Sequence, residues 1–187
     1  MLTVILTGGS SRRMGRDKAM LPYGTGTMLQ TLINRYVQLG TVAVSVDQAG
    51  RFPFTGAIEL PDRYPRQGPM NGILSGFLET DADELLLAAV DQPYGDPELA
   101  KRLCELRGSA DACVIRRGPK QLEPLFAIYG KGCLPYAEEC MRNGRKSLLD
   151  LFERAAVRYV APDELTKFDL ERILTNVNTP EAYFRLK

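Results

Sequence analysis

The chain has 187 residues, 44% of them hydrophobic and 25% charged, the composition of a soluble globular domain able to bury a substantial core. Its formal net charge of +1 creates no field that would gather nucleic acid or an anionic membrane, and no apolar run approaches the ~20 residues of a membrane span. The sequence has no histidine, which excludes a Ser/His/Asp triad, an imidazole base and every His-based zinc site, so catalysis falls to carboxylates, cations and a hard metal.

In chain order, Leu2 to Leu6 reads as a buried strand feeding a glycine-rich basic run, Thr7-Gly8-Gly9-Ser10-Ser11-Arg12-Arg13-Met14-Gly15-Arg16-Asp17-Lys18. Glycines at a strand's carboxyl end admit a ligand close to the backbone. Converging N–H groups and basic side chains then suit a polyphosphate. The run fits neither a Walker loop nor a dinucleotide fingerprint. Met28 to Leu39 has helical spacing, with Thr27 as N-cap and Gly40 as stop. Strands follow at Thr41 to Val46 and Ala57 to Leu60. Gly68-Pro69 opens a helix to about Thr80, and Glu84 to Val90 is a nearly continuous apolar strand ending at Asp91. Asp96-Pro97 starts a helix to about Leu106, Asp111 to Ile115 is a strand, Arg117 to Lys120 a loop, and Pro124 to Tyr129 a strand. Helical segments at roughly Lys131 to Arg142 and Ser147 to Arg154 precede a strand at Val157 to Val160. A last strand is expected to end near Asn176, and Thr179-Pro180-Glu181 begins a terminal helix.

Alternating β and α units with continuous apolar strands predict one three-layer α/β/α domain over residues 1–187 with a mainly parallel sheet. A ligand then belongs at the carboxyl ends of the strands. The opening lacks the features of a signal peptide, and the four cysteines show no C-x-x-C spacing. Both point to small hydrophobic thiols in a reducing cytoplasm. Asp91, at the mouth of a buried strand in Asp91-Gln92-Pro93, is placed to hold Mg²⁺ or to form a turn, and the glycine-rich loop on the same edge favours the metal. Asp62 follows the third strand, and Gly68 and Gly72 flank a helix start that either favours an anion or packs. Arg116-Arg117 and Arg145-Lys146 read mainly as solvated surface, and Tyr23, Tyr64 and Tyr94 as edge packing.

The opening run resembles the signature of the molybdenum cofactor guanylyltransferases, Leu-Ala-Gly-Gly-x-Ser-x-Arg-Met-Gly-x-Asp-Lys, with Thr7 in place of Ala. Asp62, Gly68-Pro69-Met70-Asn71-Gly72, Asp91-Gln92-Pro93, Pro124-Leu125-Phe126-Ala127-Ile128-Tyr129 and Asn176-Val177-Asn178-Thr179-Pro180-Glu181 are similar to further stretches of that family. The resemblance implies a Rossmann-like nucleotidyltransferase fold of the nucleotide-diphospho-sugar transferase type. It also implies transfer of GMP from GTP to the terminal phosphate of molybdenum-bearing molybdopterin, with release of pyrophosphate. By the same resemblance Leu6, Thr7, Gly8, Gly9, Lys18, Ser45, Asp62 and Asp91 line the nucleotide. Lys18, Arg13 and Asp91 carry catalysis, Asp91 binds Mg²⁺ (or Mn²⁺), and Asn176 and Asn178 face the pterin. Other cofactor-biosynthesis proteins and apo-molybdoenzymes become possible recipients of the product. Ser45 stands where the family commonly has Asn. The related cytidylyltransferases carry Ala-Ala-Gly in the opening motif, and Gly8 favours GTP over CTP. Asp91-Gln92-Pro93 is a form the cytidylyltransferases also use, so CMP transfer from CTP is the runner-up; a carrier without turnover, or a sugar-phosphate or isoprenoid-precursor nucleotidyltransferase, are the other readings.

Overall fold

The computed structural model describes residues 1–8, 17–64 and 68–186. β1 (Leu2–Leu6) is followed by a two-stranded hairpin, β2 (Pro22–Tyr23) and β3 (Gly26–Thr27), then α1 (Met28–Tyr36), β4 (Thr41–Val46) and β5 (Ile58–Pro61). α2 (Met70–Leu78), β6 (Glu84–Ala89), α3 (Pro97–Arg107), β7 (Ala112–Gly118) and β8 (Gln121–Gly130) come next. The chain continues through α4 (Leu134–Arg142), α5 (Leu148–Phe152), β9 (Val157–Val160), α6 (Leu170–Ile173) and α7 (Pro180–Phe184). The seven-stranded sheet has the order β5-β4-β1-β6-β8-β7-β9. β8 alone runs antiparallel to its neighbours β6 and β7, and the other pairings are parallel. Helices cover both faces. Ile5, Val44, Leu86 and Phe126 pack with α1, α3, α6 and α7, while Val4, Leu6, Leu85 and Leu87 pack with α2, α4 and α5. Successive residues of β1 thus enter opposite cores, as period-2 side chains in a doubly covered sheet must.

Local chemistry fixes several helix ends as the sequence predicts. Thr27 Oγ1 accepts from the Gln30 N–H at 3.1 Å, and Gly40 stops the following turn at φ +128°. A β-carbon at Gly40 would also lie 2.6 Å from the Met1 carbonyl oxygen, so glycine is required there twice over. Asp96 caps α3 with Pro97 in its first turn, Ser147 and Asp150 form a capping box on α5, and Thr179 caps α7 ahead of Pro180. Gly72 serves packing: it lies within α2, where a β-carbon would stand 2.6 Å from Leu6 Cδ2 and 3.0 Å from Leu87 Cδ1. The helix therefore rides directly on β1 and β6.

Two expectations are corrected. The predicted loop at Arg117 to Lys120 is a tight hairpin, because β7 reaches Gly118 and β8 begins at Gln121. No strand is found near Asn176 among the described residues. Ile173 and Leu174 close α6 and Val177 is fully buried beyond it, so the apolar spacing there is that of a helical turn. All four cysteines are free thiols. Burial raises Cys104 to about 11 and Cys113 and Cys133 to about 12, which leaves them as inert protonated groups. No helix among the described residues is long and apolar enough to cross a membrane.

Candidate active site

Register brings the carboxyl ends of four strands level. Leu6 lies opposite Ser45 on one side and Ala89 on the other, and Ser45 lies opposite Leu60. Thr7, Ser45, Asp62 and Asp91 consequently share one edge of the sheet. Backbone bonds hold the edge in place: Val90 N–H donates to Leu6 O at 3.0 Å and Asp62 N–H to Val46 O at 2.7 Å.

A chain of hydroxyls crosses this edge. The Thr7 hydroxyl donates to Ser45 O at 2.7 Å, and the Ser45 hydroxyl donates to Asp62 Oδ1 at 3.0 Å. Thr7 therefore has a structural task that alanine could not perform, tying β1 to β4. Ser45 is 5% exposed and lies within β4 rather than after it. Asn71 supports the same region from α2: its amide accepts from Tyr64 N–H at 3.0 Å and donates to Tyr64 O at 2.6 Å. Partial burial pushes the Asp62 carboxyl above its ordinary range, against the opposing Ser45 hydrogen bond, and Asp47 adds to the rise.

That shift carries a prediction. A carboxyl raised on folding favours the native state most when protonated, below its unfolded pKa, and that advantage is lost as pH rises through the folded value. Asp62→Asn, which still accepts from Ser45, is therefore expected to raise the melting temperature by roughly 1–3 °C near pH 7. The gain should vanish as pH falls below the unfolded pKa to about 2–3, where Asp62 is neutral in both states. Melting curves across that range test it; a gain that does not change with pH would refute it.

The second half of the site centres on Lys18. Asp17 Oδ1 accepts from Ala19 N–H at 3.0 Å and so caps a short turn, Lys18–Met20, that projects Lys18 toward the end of β6. Lys18 Nζ donates to Asp91 Oδ2 at 3.2 Å and to Asn178 Oδ1 at 2.6 Å. The pair is only partly screened by solvent, with side chains 16% and 22% exposed. Asp91 O accepts from Val177 N–H at 2.8 Å, which anchors the extended segment carrying Asn178. Asn176 turns elsewhere, its amide donating to Leu174 O at 3.4 Å.

Arg51, from the β4–β5 connection, was not singled out by sequence. It donates to Asp17 Oδ2 at 2.7 Å and to Asp47 Oδ1 at 2.9 Å, buttressing the turn that carries Lys18. Nothing in its spacing marks it, since Asp17 is distant in sequence. Gln92 is also buried, at 2% exposed, and its side-chain oxygen has no partner among the described residues. Beside Gly8, no heavy atom of the described residues lies within 4 Å of where a β-carbon would stand. Gly9 and Arg13, with Arg12 and Arg16, lie outside the described residues.

Four of the remaining basic and aromatic candidates have side-chain partners. Arg116 stacks on Tyr159 at 3.7 Å, Arg117 pairs with Glu123 and Glu171, and Arg145 pairs with Glu153 and Asp150. Tyr94 lies beneath the Arg172 guanidinium at 5.0 Å. No group of three or more metal-capable side chains comes together among the described residues, so an all-protein cage is not built. One partly exposed carboxylate, Asp91, fits Mg²⁺, which takes one or two carboxylates and fills its octahedron with phosphate oxygens and water.

Residues 3–183 match the MobA-like NTP transferase domain. The "Probable molybdenum cofactor guanylyltransferase" of Pelotomaculum thermopropionicum is 34% identical over 179 residues, covering 95% of this chain and 87% of the relative. The crystal structure of molybdopterin-guanine dinucleotide biosynthesis protein A from Archaeoglobus fulgidus superposes with a TM-score of 0.85 at 24% identity, covering 100% of this chain and 96% of that one. A structure of Rv0371C from Mycobacterium tuberculosis, solved as a complex with manganese, has the same fold at a TM-score of 0.64 and 18% identity, covering 99% and 96% of the two chains.

Proposed function

The chain belongs to the MobA-like NTP transferase domain family, and on that premise we propose that it transfers GMP from GTP to the terminal phosphate of molybdenum-bearing molybdopterin. An oxygen of the acceptor phosphate attacks the α-phosphorus of GTP, the bond to the β-phosphate bridging oxygen breaks, and pyrophosphate leaves. The acceptor is already an anion at neutral pH, so the reaction needs no proton-abstracting base. That agrees with a chain devoid of histidine. The work left to the protein is to bring anions together and to stabilise charge on the leaving group.

The observation that carries this reading is the convergence of Lys18 and Asp91 at 3.2 Å on the sheet edge where the glycine-rich run begins. Lys18 supplies an ammonium to the β and γ phosphates, with Arg13 and the N–H groups of Gly8 and Gly9 as its companions. Leu6 and Thr7 form the floor of the cleft, and the Ser45–Asp62 pair presents polar groups to the nucleoside. Asp91 would hold Mg²⁺ or Mn²⁺, which supplies positive charge to the phosphate oxygens when bound. Asn178, and more remotely Asn176, face the acceptor side. Residues 1–187 act as one nucleotidyltransferase domain, working in the cytoplasm and passing product to cofactor-biosynthesis proteins or apo-molybdoenzymes.

The test is calorimetric titration with GTP, CTP, ATP and UTP in the presence of Mg²⁺, followed by pyrophosphate release with molybdopterin. Preferential GTP binding and metal-dependent pyrophosphate release, abolished by chelator, are expected. A CTP preference would move the protein to cytidylyl transfer, and binding without pyrophosphate release would make it a carrier.

A further inference from the structure

We propose that Asn178 is a positioning residue for Lys18, and that the segment from Leu174 to Tyr183 is the clasp that sets this lysine against Asp91. Lys18 sits in the turn Lys18–Met20, far in sequence from Leu174 to Tyr183, yet three contacts from this later segment fix its surroundings. Asn178 Oδ1 accepts from Lys18 Nζ at 2.6 Å. Val177 N–H donates to Asp91 O at 2.8 Å, and the fully buried Val177 side chain pins that bond to the core. Beyond Asn178, α7 returns to the stretch just after Lys18, where the Tyr183 hydroxyl donates to Pro22 O at 2.6 Å. The clasp thus grips both residues of the Lys18–Asp91 pair and the start of β2.

The amide is chemically suited to this task. An ammonium has three donors, of which Asp91 takes one and Asn178 another. A neutral acceptor directs the ammonium without adding to the neutralisation that Asp91 already supplies. A carboxylate at the same place would compete with phosphate for that charge. The role differs from contact with the acceptor, because it acts on the nucleotide through Lys18. It rests on the reading of Lys18 as a phosphate-holding group.

The experiment is a double-mutant cycle on GTP·Mg²⁺ binding, measured without pterin. Asn178→Ala is expected to weaken GTP about tenfold, the scale of one hydrogen bond to a charged group. The same change in a Lys18→Ala background should have no further effect, because its route runs through the lysine. Equal losses in both backgrounds, or unaltered GTP affinity in Asn178→Ala, would overturn the proposal. Asn178 is exposed and the backbone bond at Val177 survives the change, so the melting temperature should stay within a degree or two, as for surface substitutions in general.

Amine labelling of Lys18 in nucleotide-free protein, read by mass spectrometry, decides the contact separately. Faster labelling in Asn178→Ala is expected, and an unchanged rate would refute the contact. A wild-type protein that binds no nucleotide would instead overturn the transferase reading, while the labelling comparison would still stand.

Discussion

Lys18→Ala is expected to lower turnover by roughly 10²-fold or more, the scale of removing one charge-stabilising group from a site that handles phosphate charge. The side chain is 16% exposed and makes a direct ion pair, so its charge acts with less screening than a surface lysine would. The loss should fall mainly on kcat, because the leaving pyrophosphate gains charge as the reaction proceeds and the ammonium is worth most at that moment. GTP affinity should fall less. Lys18→Arg should not restore the enzyme, since a planar fork cannot occupy the place of a compact ammonium between Asp91 and Asn178. Steady-state pyrophosphate release measures both parameters, and normal turnover by Lys18→Ala would remove the lysine from the mechanism.

Asp91→Ala is expected to cost as much, roughly 10²-fold or more, for the opposite charge. Here the fold should survive intact. What Asp91 gives the structure is its backbone: its carbonyl holds Val177, and its neighbour Gln92 N–H closes a turn on Ala89 O at 3.1 Å. The carboxylate itself contacts only Lys18 among the residues whose bonds are described. An unchanged melting curve together with lost activity, and with loss of the metal dependence that remains in wild type, is the expected pattern. Asp91→Asn separates charge from shape, and it should resemble the alanine variant if the negative charge is what the site uses. Turnover near the wild-type rate would place the metal elsewhere.

Much of this architecture could be read directly from the residues. β1, β4 and β6 are short apolar runs with no competing helical period, and Thr27, Asp96-Pro97 and Thr179-Pro180 announce their helices through chemistry confined to a few positions. The β7–β8 hairpin was harder to see because its far end carries Arg116, Arg117, Lys120 and Gln121. Ladder bonds hold Arg116, Arg117 and Gln121 in strands on either side of the turn that carries Lys120, and no apolar alternation reveals it. The absent final strand has the opposite cause: Ile173, Leu174 and Val177 are apolar, but they bury themselves from a helical turn and the extended segment after it.

At the site, Asp91 could be chosen because it follows a buried strand at its carboxyl end, whereas Lys18 and Asp62 stand out through the glycine-rich basic run and the family stretches they resemble. The partners that orient them could not. Arg51 meets Asp17 and Asn178 meets Lys18 across long stretches of chain, through contacts set only when the layers close. The sequence also paired Asn176 with Asn178, whereas only the second reaches the lysine.

The tie between Asp91 and Val177 bears on how the protein is made. Chains emerge from the ribosome amino end first, and early segments begin to fold before later ones exist. β1, β4, β5 and β6 are all available by residue 89, so one half of the sheet can assemble while translation continues. Lys18 and Asp91 are then present but unclasped until residues 177 and 178 arrive. A nascent chain that stops short of residue 177 would therefore carry Lys18 and Asp91 without their final alignment, which comes only once residues 177 and 178 have been made.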